Sequence, residues 1–364
     1  MRTVIYLAKP CFGNEEKQAV IAVLDSGLIA SGEVVGSFQS KFAEYCGVKY
    51  GVAASSGTTA LEVMLRAAGI GKGDKVLTTP FSFIASTNCI LYTGAVPVFA
   101  DIDPNTFNIT AEAVEEKLKV DSDIKAILIV HLFGHPCDMD AFMTLAKKYD
   151  VLLFEDCAQA HGVMYKDKKA GSFGCASAFS FYPTKNMTTS EGGMVMTDNE
   201  DIAEKAKLLI NHGMKVRYYH DEIGYNYRMT NIAAAVGLCQ LEKLEGFNEK
   251  RREIASFYRR EILNIVVCHP VEPKSGSHCF HQYSILVSGR RRDALVKHLN
   301  DNKIACGVFY PLSIPEQACY RHMNFETEFA VTDKVKKEIL SLPMHPQLTE
   351  TELGIVVDAV NKFQ

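Results

Sequence analysis

No run of apolar residues in this chain approaches the ~20 needed to cross a bilayer as a helix. The N-terminal stretch Met1-Arg2-Thr3-Val4-Ile5-Tyr6 passes straight to Lys9-Pro10 without an apolar leader segment. No Cys-x-x-Cys pair occurs among the eleven cysteines. They stand singly, most of them in apolar strings such as those around Cys89, Cys239 and Cys268, which fits reduced thiols better than a disulfide framework. There is no basic run, and a net charge of -4 with a pI near 6.3 leaves no electrostatic footprint for nucleic acid. Internal repeats and low-complexity segments are also missing. These absences lead to the expectation of a soluble, cytoplasmic protein with no nucleic-acid or membrane partner.

What is present is a chain of 364 residues, 47% hydrophobic, enough for one large domain and a smaller one. From about residue 48 to 200, short apolar runs alternate with helix-like segments. Val76–Thr79, Pro97–Asp101, Ala126–Val130 and Val151–Phe154 are almost continuously apolar, the pattern of strands in a parallel sheet covered on both faces. Between them, Thr58–Ala68, Ala111–Leu118 and Met139–Tyr149 carry helical periodicity, with Thr110 and Asp138 where N-caps belong. The rhythm predicts a doubly wound α/β sheet with its sites at the carboxyl ends of the strands. A long helix over roughly Asn231–Leu263 then leads to a C-terminal unit with a strand at Tyr283–Val287 and helices at Asp293–Asn300 and Thr349–Lys362.

Two motifs carry chemistry. Ser180-Phe-Tyr-Pro-Thr-Lys185-Asn186 places a lysine among hydroxyls and runs on to Ser190-Glu191-Gly192-Gly193. Upstream, Asp156 ends the apolar run Val151-Leu-Leu-Phe-Glu-Asp, where a carboxylate is costly unless paired. A lysine that can link covalently to an aldehyde and an aspartate that can pair with a protonated pyridine nitrogen suit pyridoxal phosphate. Glu155 fits better as a structural salt bridge or cap. Ser55-Ser-Gly57-Thr58-Thr59-Ala-Leu61 follows the apolar run Tyr50–Ala54 and opens a helix, a ready anion site that is equally a capped helix on its own. Phe83 follows the strand ending at Thr79 and could stack on a flat ring, although such phenylalanines are more often core. Gly69-Ile-Gly-Lys-Gly73 follows a helix and precedes a strand, the wrong order for a nucleotide loop, so it is a turn. His131-Leu-Phe-Gly-His135 carries a glycine and the following Pro136, which argue against a helix offering both rings to a metal; no metal is expected.

In these residues the chain resembles the DegT/DnrJ/StrS family of pyridoxal-phosphate-dependent sugar aminotransferases. The resemblance runs through Leu24–Gly27, Ser31-Gly32, Ser55–Leu61, Phe83–Asn88, Asp101-Ile-Asp103, Glu155–Gly162, Ser180–Gly193, Gly224–Asn231, Phe309-Tyr310-Pro311 and Leu340–His345. It implies the fold type I aminotransferase architecture: a large domain (1–245) with a mostly parallel seven-stranded sheet between helices, a small α+β domain (246–364), and a homodimer with shared active sites. It further implies that Gly57, Thr58 and Thr59 hold the phosphate with Ser180, and that Asn226 reaches the phosphate bound to the neighbouring subunit. Phe83 would stack on the ring, Asp156 pair with its nitrogen, Gln159 lie beside its hydroxyl and Lys185 carry the covalent link; Arg228 and Tyr310 would be substrate or interface residues. The implied reaction moves an amino group, with L-glutamate as donor, through pyridoxamine phosphate to a nucleotide-linked keto-sugar. His135 and Tyr182 stand where many relatives have glutamine and histidine, and Ser190 where many have glycine, differences expected at the rim of the site. A branch that dehydrates sugars has histidine at the lysine position, so Lys185 favours transamination. Dehydration or cyclitol transamination on the same fold, or a non-catalytic regulatory role, are the alternatives.

Overall fold

A computed structural model describes residues 4–364; of the N-terminal stretch read above, residues 1–3 lie outside it. Seven strands form the main sheet: β1 (Tyr50–Ala54), β2 (Lys75–Thr78), β3 (Val96–Phe99), β4 (Ile124–Val130), β5 (Leu152–Asp156), β6 (Ala176–Ser180) and β7 (Gly193–Thr197), in the order β1-β7-β6-β5-β4-β2-β3. Pairing is parallel from β3 through β2, β4 and β5 to β6, whereas β7 runs antiparallel to both β6 and β1.

The near-continuous apolarity of these strands is explained by burial on both faces. Along β4, Ala126 and Leu128 enter a core built with α3 (Gly57–Ala67), α4 (Ala85–Thr93) and α7 (Glu200–Ile210). Ile127 and Ile129 enter the opposite core, with α5 (Ala111–Val120) and α6 (Met139–Tyr149). Thr110 and Asp138 cap α5 and α6 as expected, their side chains accepting from the amides of Ala113 and Ala141. β6 carries no comparable signal in the sequence. Ala176-Ser-Ala-Phe-Ser180 is fully buried yet rich in serine, and the structure satisfies Ser177 by letting its hydroxyl donate to the Gly171 carbonyl at 2.8 Å.

Helices α1 (Asn14–Ser26) and α2 (Glu33–Cys46) pack on α8 (Asn231–Glu261), an unbroken helix of 31 residues capped by Thr230. The C-terminal half of α8 contributes Ile254, Ala255 and Tyr258 to a separate core, and the boundary expected at 245/246 lies midway along it. That core covers an antiparallel sheet of β8 (Val267–Cys268), β9 (Tyr283–Val287) and β10 (Ile339–Leu342), together with α9 (Arg292–Asp301) and α10 (Glu350–Lys362). Ile5 joins it through a bridge to Ile304, so the two ends of the chain share one hydrophobic cluster. Among the described residues no helix is long and apolar enough to cross a membrane.

Glu155 shows how the sheet's polar interior is secured. Its carboxylate, fully buried in β5, accepts from His131 Nε2 at 3.0 Å and from the amides of Gly171, Phe173 and Gly174 at 2.7, 2.8 and 2.8 Å. The Cys137 amide donates to His131 Nδ1 at 3.0 Å, so the ring proton sits on Nε2, facing Glu155. Cys157 lies near this pair, but both the histidine and the carboxylate are already engaged by the protein, which makes the group a structural hub. Burial pushes the Glu155 carboxyl up, yet the His131 contact and the backbone amides prevail and hold it below the ordinary 4.5. The stabilisation is therefore present above that ordinary value and is lost as pH falls through the lowered one. Glu155→Gln turns an amide donor toward backbone donors and should destabilise the protein by about 3 kcal/mol or more in urea unfolding. An unchanged midpoint would show that the hub carries no stability.

Candidate active site

The carboxyl ends of the strands open on a cleft of about 660 Å³ that the C-terminal unit closes from the other side. Asp156 enters from the end of β5, Gly57 and Thr58 from the turn between β1 and α3, Phe83 from the loop after β2, Lys185 from the turn after β6, and Tyr310 from the C-terminal unit.

Asp156 is 3% exposed, and its two oxygens accept from Ser86 Oγ at 2.7 Å and from the Ala158 amide at 3.0 Å. Burial raises its pKa above the ordinary 3.8, against the pull of those bonds and of Lys185. A buried carboxylate in that condition has a use for a cation. Lys185 is held by its backbone amide donating to the Tyr182 carbonyl at 2.9 Å. Enclosure lowers its amine from 10.5 to about 8, partly offset by Asp156. A substantial neutral fraction near pH 8 makes it a usable nucleophile and proton carrier.

The first turn of α3 forms a cradle. The Ser56 side chain accepts from the Thr59 amide at 3.1 Å, while the Ser56 amide donates to Thr59 Oγ1 at 3.0 Å, closing a capping box. Thr59 is thus spent on the cap and does not line the cleft, whereas Gly57, Thr58 and Ser180 do. A Cβ on Gly57 would sit 2.5 Å from Ser180 Cβ and 2.9 Å from its Oγ, so only glycine lets α3 approach β6 this closely. Gly57→Ala should weaken pyridoxal phosphate affinity at least tenfold and destabilise the fold by about 1–3 kcal/mol. Fluorescence titration with the cofactor alongside a melting curve checks this; wild-type affinity would remove the cradle from the argument.

Phe83 is 55% exposed, with its ring centroid 6.4 Å from that of Tyr310, so it is an open platform and not core. Gln159 is oriented by the Phe133 amide, which donates to its Oε1 at 2.7 Å, and its Nε2 donates to Tyr310 Oη at 3.4 Å. Asn226 and Arg228 are not brought to the cleft of their own chain: Asn226 is exposed and pairs with Asn211 through backbone, and Arg228 Nη1 donates to Asn211 Oδ1 at 2.8 Å. Tyr182 lines the cleft as a rim residue should, but His135 does not. It is buried behind the site, its ring 5.5 Å from that of His278, and this corrects its expected place at the rim.

Ser86, His281 and Gln282 also line the cleft, and nothing in the sequence assigned any of the three a role of its own. Ser86 stands in the first turn of α4, its hydroxyl 3.0 Å from that of Ser82 in the loop before the helix, a contact that only the folded loop makes. The donor set fits pyridoxal phosphate: an anion cradle at a helix N-terminus, an open aromatic face, a buried carboxylate whose pKa burial has raised, and an amine of lowered pKa.

Comparison with known proteins agrees. The chain is 38% identical over 360 residues to a GDP-perosamine synthase of Escherichia coli O157:H7, covering 98% of this chain and 97% of that protein. It is also 38% identical over 356 residues to a pleiotropic regulatory protein of Geobacillus stearothermophilus, covering 95% of each. Its fold matches the pyridoxal-phosphate form of a putative sugar aminotransferase from Streptococcus pneumoniae with a TM-score of 0.91 and 26% identity, over 99% of this chain and 98% of that one. With the site assembled in this way, and with a model of the DegT/DnrJ/EryC1/StrS aminotransferase family matching residues 10–361, the chain belongs to that family.

Proposed function

We infer that this protein is a pyridoxal-phosphate-dependent aminotransferase that moves an amino group from L-glutamate to a nucleotide-linked keto-sugar and works as a cytoplasmic homodimer. The observation that carries the reading is the convergence of Lys185 and Asp156 on one cleft beside the α3 cradle. Pyridoxal phosphate, when bound, supplies an aldehyde that takes up the amino group and a ring that accepts electrons released at carbon. The protein supplies the rest. Gly57, Thr58 and Ser180 bind the phosphate, with Thr59 holding the cap that presents them, and Phe83 supports one ring face. Asp156 keeps the ring nitrogen protonated, while Gln159 lies beside the ring hydroxyl. Lys185 would anchor the cofactor and, as a free amine, would carry the proton that leaves or joins the substrate carbon. Asn226 and Arg228, outside their own cleft, serve that of the partner, and Tyr310 contacts substrate. The same reading divides the chain midway along α8 into a cofactor domain (1–245) and a small domain (246–364).

The GDP-perosamine synthase relative supports a nucleotide-sugar substrate, and the eleven unpaired thiols fit a reducing compartment. The test is a visible spectrum of the cofactor-loaded enzyme with L-glutamate, then with GDP-, dTDP- and UDP-linked keto-sugars. The yellow band should fade with glutamate and return with one of the sugars as mass spectrometry detects its amine. The regulatory protein among the relatives motivates a second reading. A yellow band indifferent to every amine and keto-sugar would favour it and overturn the first.

A further inference from the structure

His281 stands at the tip of a turn held by two buried side chains from elsewhere in the fold, Arg251 and Asn186. Arg251 of α8, 3% exposed, donates through Nη1 to the carbonyls of Phe280, His281 and Met344 at 3.1, 3.2 and 3.0 Å. Asn186, next to Lys185, donates through Nδ2 to the Cys279 carbonyl at 3.0 Å and to Asn248 Oδ1 at 2.7 Å. Within the turn, Phe280 takes a left-handed φ of 43° and its amide donates to His278 Nδ1 at 2.9 Å. So much buried polar bonding around a strained residue marks a turn held for what it presents. It presents His281, one of the residues that line the cleft.

Backbone carbonyls fix the tautomer of that ring. Asn248 Nδ2 donates to the His161 carbonyl at 2.8 Å, so Asn248 Oδ1 is the atom that receives Asn186 Nδ2. The Cys279 carbonyl likewise requires the Asn186 amide nitrogen, which leaves Asn186 Oδ1 to face His281 Nδ1 at 3.2 Å. The ring proton therefore belongs on Nδ1, and Nε2 carries a lone pair. Among the described residues Nε2 has no hydrogen-bond partner, and it is not among the polar atoms sealed in the core. Burial, with Lys185 and Arg251 nearby, keeps the imidazole well below its ordinary pKa, so the ring stays neutral near pH 7.

A fixed acceptor in this position discriminates between substrates. A sugar hydroxyl can donate to it; a carboxylate has no proton to give and meets lone pair with lone pair. We propose that His281 is a specificity-determining residue whose Nε2 accepts a hydrogen bond from a hydroxyl of the keto-sugar, favouring a polyol over a 2-oxo acid as amino acceptor. This rests on the reading of the enzyme as a sugar aminotransferase.

The test uses the enzyme loaded with pyridoxamine phosphate and follows return of the yellow band in single turnovers. One acceptor is whichever GDP-, dTDP- or UDP-linked keto-sugar the wild type uses, and the other is 2-oxoglutarate. His281→Phe keeps the ring and removes the acceptor. It should slow return with the keto-sugar at least about tenfold more than return with 2-oxoglutarate. His281→Gln, with a carbonyl oxygen in reach, should recover part of the difference. Should the phenylalanine variant fail to hold cofactor, His281→Ala takes the same measurement. Equal slowing with both acceptors would place His281 with the proton chemistry of Lys185 and overturn the proposal, as would no slowing with either. A wild type that returns its amine to 2-oxoglutarate but to no sugar would instead overturn the sugar reading, and this proposal with it.

Discussion

Lys185→Ala is expected to reduce turnover about a thousandfold or more while leaving the protein folded. Proton transfer by a positioned side chain contributes about 10²–10⁴-fold, and in the proposed function this residue would also supply the covalent anchor. The fold should tolerate the change because Lys185 is fixed through its backbone amide, which alanine retains. The folded amine titrates near 8 and the unfolded one near 10.5, so between those values the unfolded chain holds a proton that the folded chain lacks. Without cofactor, this lysine therefore destabilises the folded protein at neutral pH and does so less as pH rises from 8 to 10.5. The alanine variant should accordingly melt no lower than the cofactor-free wild type. In the wild type, capture of cofactor should accelerate as pH rises through about 8, because only the neutral amine attacks. A melting curve, a stopped-flow pH series and a turnover assay check the three statements; wild-type turnover in the variant would remove Lys185 from the chemistry.

The second large effect is expected from Asp156→Ala. Removing a preorganised charge from a dry site typically costs about 10²–10³-fold in rate, and cofactor affinity should fall at least tenfold with it. Stability should change less. Ser86 Oγ and the Ala158 amide lose their acceptor, a loss of about 1–3 kcal/mol, but a carboxyl whose pKa burial has raised is removed as well. Asp156→Asn separates charge from hydrogen bonding, since it keeps an oxygen for Ser86 and lacks the negative charge. Both variants should retain the fold by circular dichroism and lose the long-wavelength band of bound cofactor. An asparagine variant as active as the wild type would show that Asp156 orients the ring without polarising it. The same argument fixes a sign for pH: as Asp156 takes up its proton on acidification, cofactor affinity should fall.

How much of this was legible beforehand depends on the distance over which each feature is decided. Thr110 and Asp138 cap the helices expected of them because a cap is settled within three residues. β9 begins and ends where the pattern Tyr283–Val287 placed it, because burial on both faces imprints a local apolar run. Asp156 and Lys185 were found by residue type and position alone, since an ionisable group at the end of a buried strand is costly without a purpose. Other features needed the chain to meet itself. β6 can be a buried strand because Gly171 accepts the Ser177 hydroxyl, and the antiparallel course of β7 follows from pairing with β1, which lies far away in sequence. Thr59 and Thr58 are adjacent hydroxyls, and only packing sends one to the cap and the other to the cleft. His135 leaves the rim because Gly134 and the 278–281 turn bury it. His281 becomes a fixed acceptor through Asn186, Asn248 and Arg251, contacts that span from 30 to 95 residues. Composition and spacing thus determined the fold class and pointed to pyridoxal phosphate, with Asp156 and Lys185 as its candidate partners, because those follow from local pattern and side-chain chemistry. Only tertiary structure decided which hydroxyls, histidines and amides face the cleft, because hydrogen bonds between distant segments select among side chains that look alike along the chain.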